Sequence, residues 1–354
     1  MKKILITGGA GFVGSNLAIL FKQYFPSVTV TALDNLKRRG SELSLSRLKA
    51  AGVNFVHGDV RSKEDFEDAG DFDLLVDCAA EPSVLAGTTG SPSYVIDTNL
   101  TGTLNCLEAC RKNQASILFL STSRIYPIAP LSKLELEESE TRFTLRAEQP
   151  LAGASEHGIA EDFPLVGARS LYGSSKLASE LFVTEYLESY GLKGVINRCG
   201  VLTGPWQMGK VDQGVIALWI AKHLYEGQLS YIGYNGTGKQ VRDMLHVADL
   251  FDLMVLQLQN MDSCCGEIFN VGGGTEVSLS LRELTAQCER STGKRITIKQ
   301  VTENRPNDIP LYISDCRKVE KALGWKPKRS VENIVDEMTK WIVDNKEILA
   351  PVLG

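Results

Sequence analysis

Tyr172 and Lys176 stand four residues apart, a spacing that puts both side chains on one face of a helix. A phenol titrates near 10, too high for a base at neutral pH. An ammonium about 4 Å away, at an effective dielectric near 20, is worth about 4 kcal/mol, or roughly three pKa units. Lys176, helped by a second positive charge nearby, is therefore expected to bring Tyr172 toward 7, where general base catalysis works best. A third group comes from Ser121-Thr122-Ser123-Arg124-Ile125-Tyr126, which closes a strand candidate. The Thr122 hydroxyl there can bridge a substrate alcohol and the tyrosine. Each feature has a plainer use when taken alone. Tyr-x-x-x-Lys is also the spacing of an exposed helix pair, and hydroxyls often cap a strand end.

Thr7-Gly8-Gly9-Ala10-Gly11-Phe12-Val13-Gly14 follows the first strand candidate and opens a helix. Glycines at 8, 11 and 14 permit a tight turn, close approach of the backbone to a pyrophosphate, and close helix–strand packing. The helix start adds N–H groups and the positive dipole end. Among 32 glycines such a triplet also fits a plain strand–helix turn. Asp34 shifts the balance. It ends the second strand candidate 20 residues after Gly14, where a carboxylate accepts from an adenosine ribose and repels a 2′-phosphate. That favours NAD over NADP, and a bound nicotinamide would add its positive charge beside Tyr172. Lys37, Arg38 and Arg39 either hold an extra phosphate or form a solvated turn.

The elements that must position these groups alternate. Short runs rich in Val, Ile, Leu or Phe at 3–7, 29–33, 54–57, 74–78, 117–121 and 194–197 read as parallel strands buried on both faces. Helical patterns at 15–24 and 100–112 lie between them. This is the α/β pattern of a doubly wound parallel sheet, a Rossmann fold, in which strand C-terminal ends line the cofactor crevice. Residues 128–170 break the rhythm with acidic runs, prolines and glycines, and read as a long loop that is either functional or mobile. Beyond residue 203 a smaller α/β C-terminal substrate domain begins. It has helices at 215–226, 281–291 and 331–345, a strand at 229–232 and a turn at 233–239. A helix at 248–258 and a strand at 268–271 return to the main sheet. The division is therefore 1–202 plus 243–271 for the dinucleotide, and 203–242 plus 272–354 for the substrate.

With 354 residues the chain is too long for one minimal domain. A net charge of −5 argues against a nucleic-acid partner. No apolar run reaches the roughly 20 residues of a membrane span. The start, Met1 to Gly8, reads as a strand rather than a signal peptide. The eight cysteines and four histidines show no zinc spacing. We expect no metal, and mainly buried, reduced thiols in a cytoplasmic protein.

The glycine turn, Asp34, Gly58-Asp59-Val60, Asn99 with Gly102-Thr103, Thr122 and Tyr172-x-x-x-Lys176 together resemble the extended short-chain dehydrogenase/reductase family, the nucleotide-sugar epimerases and dehydratases. The resemblance continues through Arg242-Asp243, Phe269-Asn270-Val271-Gly272-Gly273-Gly274, Arg305-Pro306-Asn307-Asp308 and Leu323-Gly324-Trp325-Lys326-Pro327, nearly the whole chain. It implies that Thr122, Tyr172 and Lys176 are the catalytic set. It also implies that Gly8, Gly11, Phe12, Val13, Gly14, Asp34, Asn35, Asp59, Val60, Ala79, Ala80, Asn99 and Gly200 lie along NAD. Gln213, Arg242 and Arg305 would hold a nucleotide-diphosphate sugar, the two arginines clamping its diphosphate. A homodimer or tetramer is implied as well, built on the tyrosine helix and the helix near Leu100. Leu104, Leu107, Leu177, Leu181 and Tyr186 serve equally as core.

The family's 4,6-dehydratases carry Asp-Glu straight after the threonine, as acid and base for water elimination. Here Ser123 and Arg124 stand there, and neither a serine hydroxyl nor a permanently protonated guanidinium does that work. Epimerisation needs only oxidation of a sugar carbinol to a ketone and hydride return to the opposite face. Phe55-Val56-His57-Gly58-Asp59-Val60-Arg61, Glu140-Thr141-Arg142-Phe143-Thr144, Val211-Asp212-Gln213-Gly214 and Gly236-x-Gly238-Lys239-Gln240-Val241-Arg242-Asp243 resemble the CDP-tyvelose (CDP-paratose) 2-epimerases, which act at C2. That likeness implies that residues 128–170 orient the sugar. The alternatives are a UDP-hexose 4-epimerase and, in another class, a non-catalytic NAD-sensing protein, against which the intact catalytic set speaks. Val201, Gly200 and Asp77 depart from the Asn, aromatic and His common in the family.

Overall fold

The structure is a computed structural model that describes residues 1–88, 90–209 and 213–354. Val211 and Asp212 of the Val-Asp-Gln-Gly stretch lie outside the described residues. Seven strands form the central sheet: β1 (Lys3–Thr7), β2 (Thr29–Asp34), β3 (Asn54–His57), β4 (Leu74–Asp77), β5 (Ser116–Thr122), β6 (Gly194–Cys199) and β7 (Ile268–Val271). Their order is β3-β2-β1-β4-β5-β6-β7, every pairing parallel. The order reverses between β1 and β4, so a crevice opens at their C-terminal ends. Side-chain alternation loads both faces. Ile4 and Ile6 pack with Leu17, Phe21 and Leu118 on one side, and Leu5 packs with Leu75, Phe119 and Leu107 on the other. All six strands expected in the first half are present, and 268–271 joins the sheet beside β6 as expected.

Two helices differ from expectation in their starts. The first runs Phe12–Tyr24, three residues early, because Gly11 takes the extended cap conformation. The second, Gly102–Asn113, is preceded by a wide π-helical turn, Asp97–Thr101. There the Asn99 carbonyl accepts the Thr103 and Ser179 hydroxyls at 2.8 and 2.9 Å, which widens the regular helical ladder.

Beyond β6 a second sheet forms around Val241–His246, flanked by Val201–Thr203, Ser278–Ser280 and Leu311–Tyr312. No strand pattern marks this segment in the sequence, since Arg242 and Asp243 interrupt the apolar run. The strand spans the division drawn at 242/243. Helices Val215–Leu224, Leu281–Thr292 and Val331–Asp344 pack Ile216, Ile220, Leu284, Ile334 and Met338 into a separate core.

Residues 128–170 are ordered, where the sequence predicts a loop. They form a short helix, Ile128–Leu131, and two small hairpins, Leu136–Glu138 with Phe143–Leu145 and Ala154–Ser155 with Gly158–Ile159. The segment is tied down at its far side: Ile159 N donates to Ile313 O at 2.8 Å and the Thr141 hydroxyl to Glu283 at 2.7 Å. Phe163 packs on Tyr126 and Tyr312 beneath it. No helix among the described residues is long and apolar enough to cross a membrane, and no group of His, Cys, Asp and Glu among them could hold a metal ion.

Candidate active site

The glycine turn is built by close approach. A Cβ on Gly14 would come within 2.2 Å of the Gly8 carbonyl oxygen, and Gly8 has φ +62° with Cys78 O at 2.8 Å from its missing Cβ. No side chain caps the helix that follows, so its first N–H groups are left for a ligand. Asp34 ends β2 and accepts from Ala10 N at 3.0 Å and Leu36 N at 2.7 Å, which fixes it against the loop. Burial raises its carboxyl above the usual range, against those hydrogen bonds.

A cleft of about 340 Å³ runs from this turn across the strand ends. Of the residues singled out in the sequence, Gly8, Gly11, Phe12, Val13, Gly14, Ala79, Ala80, Thr122, Tyr172, Lys176, Gly200 and Gln213 line it. Asp34, Asn35, Asp59, Val60 and Asn99 are not on its wall. The Asn35 amide bonds the Asp59 carboxylate at 2.9 Å, and Arg61 grips that carboxylate at 2.9 and 2.7 Å, holding it well below the usual range. Asn99 is buried and binds Glu81 N at 2.8 Å and the Ser175 hydroxyl at 3.0 Å, so it joins the segment after β4 to the tyrosine helix.

That helix, Leu171–Tyr190, starts at Ser170, whose hydroxyl accepts Gly173 N at 3.1 Å. Tyr172 faces Thr122 at the end of β5. Lys176, only 1% exposed, lies one turn on with its ammonium 3.9 Å from the centre of the Phe119 ring. Burial pushes the Tyr172 phenol up to about 12, while the neighbouring Thr122 hydroxyl and the charge of Arg124 pull it down. The Lys176 ammonium is turned over Phe119 toward Asp77 and Glu180, whose charges oppose the fall that burial imposes on it.

Several supports escape a reading of the sequence alone. Behind Thr122 the Ser121 hydroxyl bonds Glu180, and Glu180 holds Arg198 through Nη2 and Nε at 2.9 and 3.1 Å. Arg198 also bonds the Tyr126 hydroxyl at 3.2 Å, so β5, β6 and the tyrosine helix share one buried ion pair. Glu180 follows Tyr172 and Lys176 at helical spacing, which was the available signal.

The substrate candidates divide. The Gln213 amide donates to Glu81 at 3.4 Å and its oxygen accepts from Arg38. Arg242 pairs with Asp308 at 2.9 Å and lines a side pocket that shares Val84, Ser123, Arg124 and Val201 with the cleft. Arg305 lies three residues before Asp308, its carbonyl accepting Asp308 N at 3.3 Å, and lines neither cavity. Gly200 leaves room for Asp243, which a Cβ would meet at 3.0 Å.

Residues 4–272 match the model of the NAD dependent epimerase/dehydratase family. A CDP-paratose 2-epimerase of Salmonella typhi is 33% identical over 348 residues, 96% of this chain and 98% of that one. Among solved structures, a dTDP-glucose 4,6-dehydratase from Bacillus anthracis in complex with NAD is similar with a TM-score of 0.77 at 26% identity, over 99% and 100% of the two chains. A UDP-glucose 4-epimerase from Thermus thermophilus in complex with NAD reaches 0.75 at 28%, over 96% and 99%. The glycine cradle, closed to any Cβ, and the uncapped helix start fit that dinucleotide. The chain belongs to the NAD-dependent epimerase/dehydratase family and is an NAD-using enzyme of the nucleotide-sugar kind.

Proposed function

We propose that this enzyme is a nucleotide-sugar epimerase of the CDP-paratose 2-epimerase type, oxidising and re-reducing C2 of the sugar. One observation carries epimerisation over dehydration. Ser123 and Arg124 follow Thr122 on the cleft wall, where water elimination would need an acid and a base. The likeness to the Salmonella typhi enzyme supports C2 and a cytidine base.

NAD, when bound, supplies the hydride acceptor and donor. In this reading Gly8, Gly11, Phe12, Val13 and Gly14 hold its pyrophosphate, Asp34 and Asn35 the adenosine ribose, and Asp59 and Val60 the adenine. Ala79, Ala80, Asn99 and Gly200 lie along the rest. Tyr172 takes the proton of the sugar hydroxyl while Thr122 holds the same oxygen. Lys176 keeps its charge close enough to favour the phenolate once the nicotinamide adds its own. Gln213, Arg242 and Arg305 hold the nucleotide diphosphate, and residues 128–170 orient the sugar. The cofactor part is 1–202 plus 243–271 and the substrate part 203–242 plus 272–354.

The second reading is a UDP-hexose 4-epimerase, favoured by the likeness to the Thermus thermophilus enzyme. Offering CDP-paratose and UDP-glucose and reading product stereochemistry by NMR separates the two. C4 inversion of UDP-glucose with no change in CDP-paratose would sink the first. We also propose a cytoplasmic homodimer. Its support is the tyrosine helix, which exposes Leu181 at 67% and Phe182 at 41%. Light scattering that reads a monomer at micromolar concentration removes it.

A further inference from the structure

We propose that Arg124 is a receptor for an anionic group of the substrate: a carboxylate on the sugar or the sugar-proximal phosphate. The inference rests on the reading of the cleft as a nucleotide-sugar site.

Arg124 stands two residues beyond Thr122, and its backbone N–H donates to the Thr122 hydroxyl at 3.2 Å. Its side chain lines both the main cleft and the side pocket. Among the described residues its guanidinium makes neither a hydrogen bond nor an ion pair. The charged and titratable groups around it are Arg242, Asp308, Tyr172 and Tyr234. Asp308, the one carboxylate of that set, is already taken by Arg242 at 2.9 Å. Arg169, on the same pocket wall, spends its N–H groups on main-chain carbonyls, Ile125 O at 2.6 Å, Gly167 O at 2.9 Å and Leu165 O.

Arg124 and Arg242 thus share one carboxylate, and Arg242 holds it. Burial and the like charge of Arg242 push Arg124 down to about 10, so it stays a cation at neutral pH but an unfavourably placed one. Arginine presents a planar fork that matches carboxylate and phosphate oxygens in pairs. Neighbouring walls are apolar at Val84, Val201 and Ile309, which strengthens the attraction for whatever anion enters. The side pocket has about 30 Å³ of room, enough for two or three heavy atoms. A compact anion fits that space.

The test compares wild type, Arg124→Gln and Arg124→Lys for binding of UDP, CDP and dTDP, each alone, with glucose and with glucuronate, by calorimetry. Bound NAD is measured to show that the fold is intact. Arg124→Gln is expected to keep NAD and to weaken the wild type's ligands about tenfold or more, with Arg124→Lys restoring part of the loss. A loss confined to the glucuronates assigns the carboxylate. An equal loss for glucoses, glucuronates and bare diphosphates assigns the phosphate. Unchanged affinities for every probe in Arg124→Gln overturn the proposal and leave the nucleotide-sugar reading standing. A wild type that binds none of these probes overturns that reading, and this proposal with it.

Discussion

The carbonyl oxygen of Arg124 sits where Gly173 has no side chain: a Cβ on Gly173 would lie 2.0 Å from it. The first turn of the tyrosine helix is pressed onto the end of β5 at this point, and that contact brings Tyr172 to Thr122. A methyl group cannot be accommodated against backbone. Gly173→Ala is expected to lift the helix start, lower stability by about 1–3 kcal/mol, and reduce turnover at least tenfold with NAD still bound. Thermal melts and kcat at saturating substrate check it. Wild-type turnover in Gly173→Ala would mean that this approach does not position the phenol.

Tyr172→Phe keeps the ring and removes only the proton acceptor. Substrate and NAD binding should persist while turnover falls by about 10²–10⁴, the usual worth of a positioned general base. The residual rate should no longer show the rise with pH expected of the wild type as its phenol ionises. Near wild-type epimerisation in this variant would place the base elsewhere.

The i, i+4 spacing correctly puts Tyr172 and Lys176 on neighbouring turns, but it carries no information on where a four-carbon stem turns its ammonium. Packing decides that, and here it sends Lys176 over Phe119. The sheet is legible for a related reason: strands buried on both faces are written as unbroken apolar runs, as in β4, Leu-Leu-Val-Asp. The strand Val241–His246 is not, because Asp243 is satisfied by distant partners, Gly273 N and Ser314 N, that no local pattern announces. Residues 128–170 look structureless in sequence because their order comes from partners more than a hundred residues away, such as Ile313 and Glu283.

Asp34 contacts the glycine turn through Ala10 N at 3.0 Å, so its loss acts twice. On the proposed reading, Asp34→Ala removes the ribose acceptor and loosens the turn that would meet the pyrophosphate. NAD affinity should fall about tenfold or more, and discrimination against NADP should relax. Titrations with both dinucleotides check it. Affinities equal to wild type for both would show that this carboxylate takes no part in cofactor choice.

Asp243 makes stability itself pH dependent. It is fully buried, Gly273 N and Ser314 N donate to its Oδ2 at 3.1 and 3.2 Å, and its Oδ1 has no hydrogen-bond partner. Burial outweighs those bonds and pushes the carboxyl up to about 6. In the unfolded chain it titrates near 4. Between those values the folded state holds the proton more tightly, so its contribution is greatest below about pH 4 and is lost as pH rises through about 6. Two units of separation amount to about 3 kcal/mol. Asp243→Asn cannot titrate, and its amide oxygen can still accept from both N–H groups. The difference in unfolding free energy between wild type and Asp243→Asn should therefore change by a few kcal/mol from pH 4 to pH 7, in the direction that favours the variant at higher pH. Urea denaturation across that range measures it, the other carboxylates cancelling in the difference. A difference that stays constant with pH would show that Asp243 is ionised in the folded protein throughout, and that the unpartnered oxygen carries a charge after all.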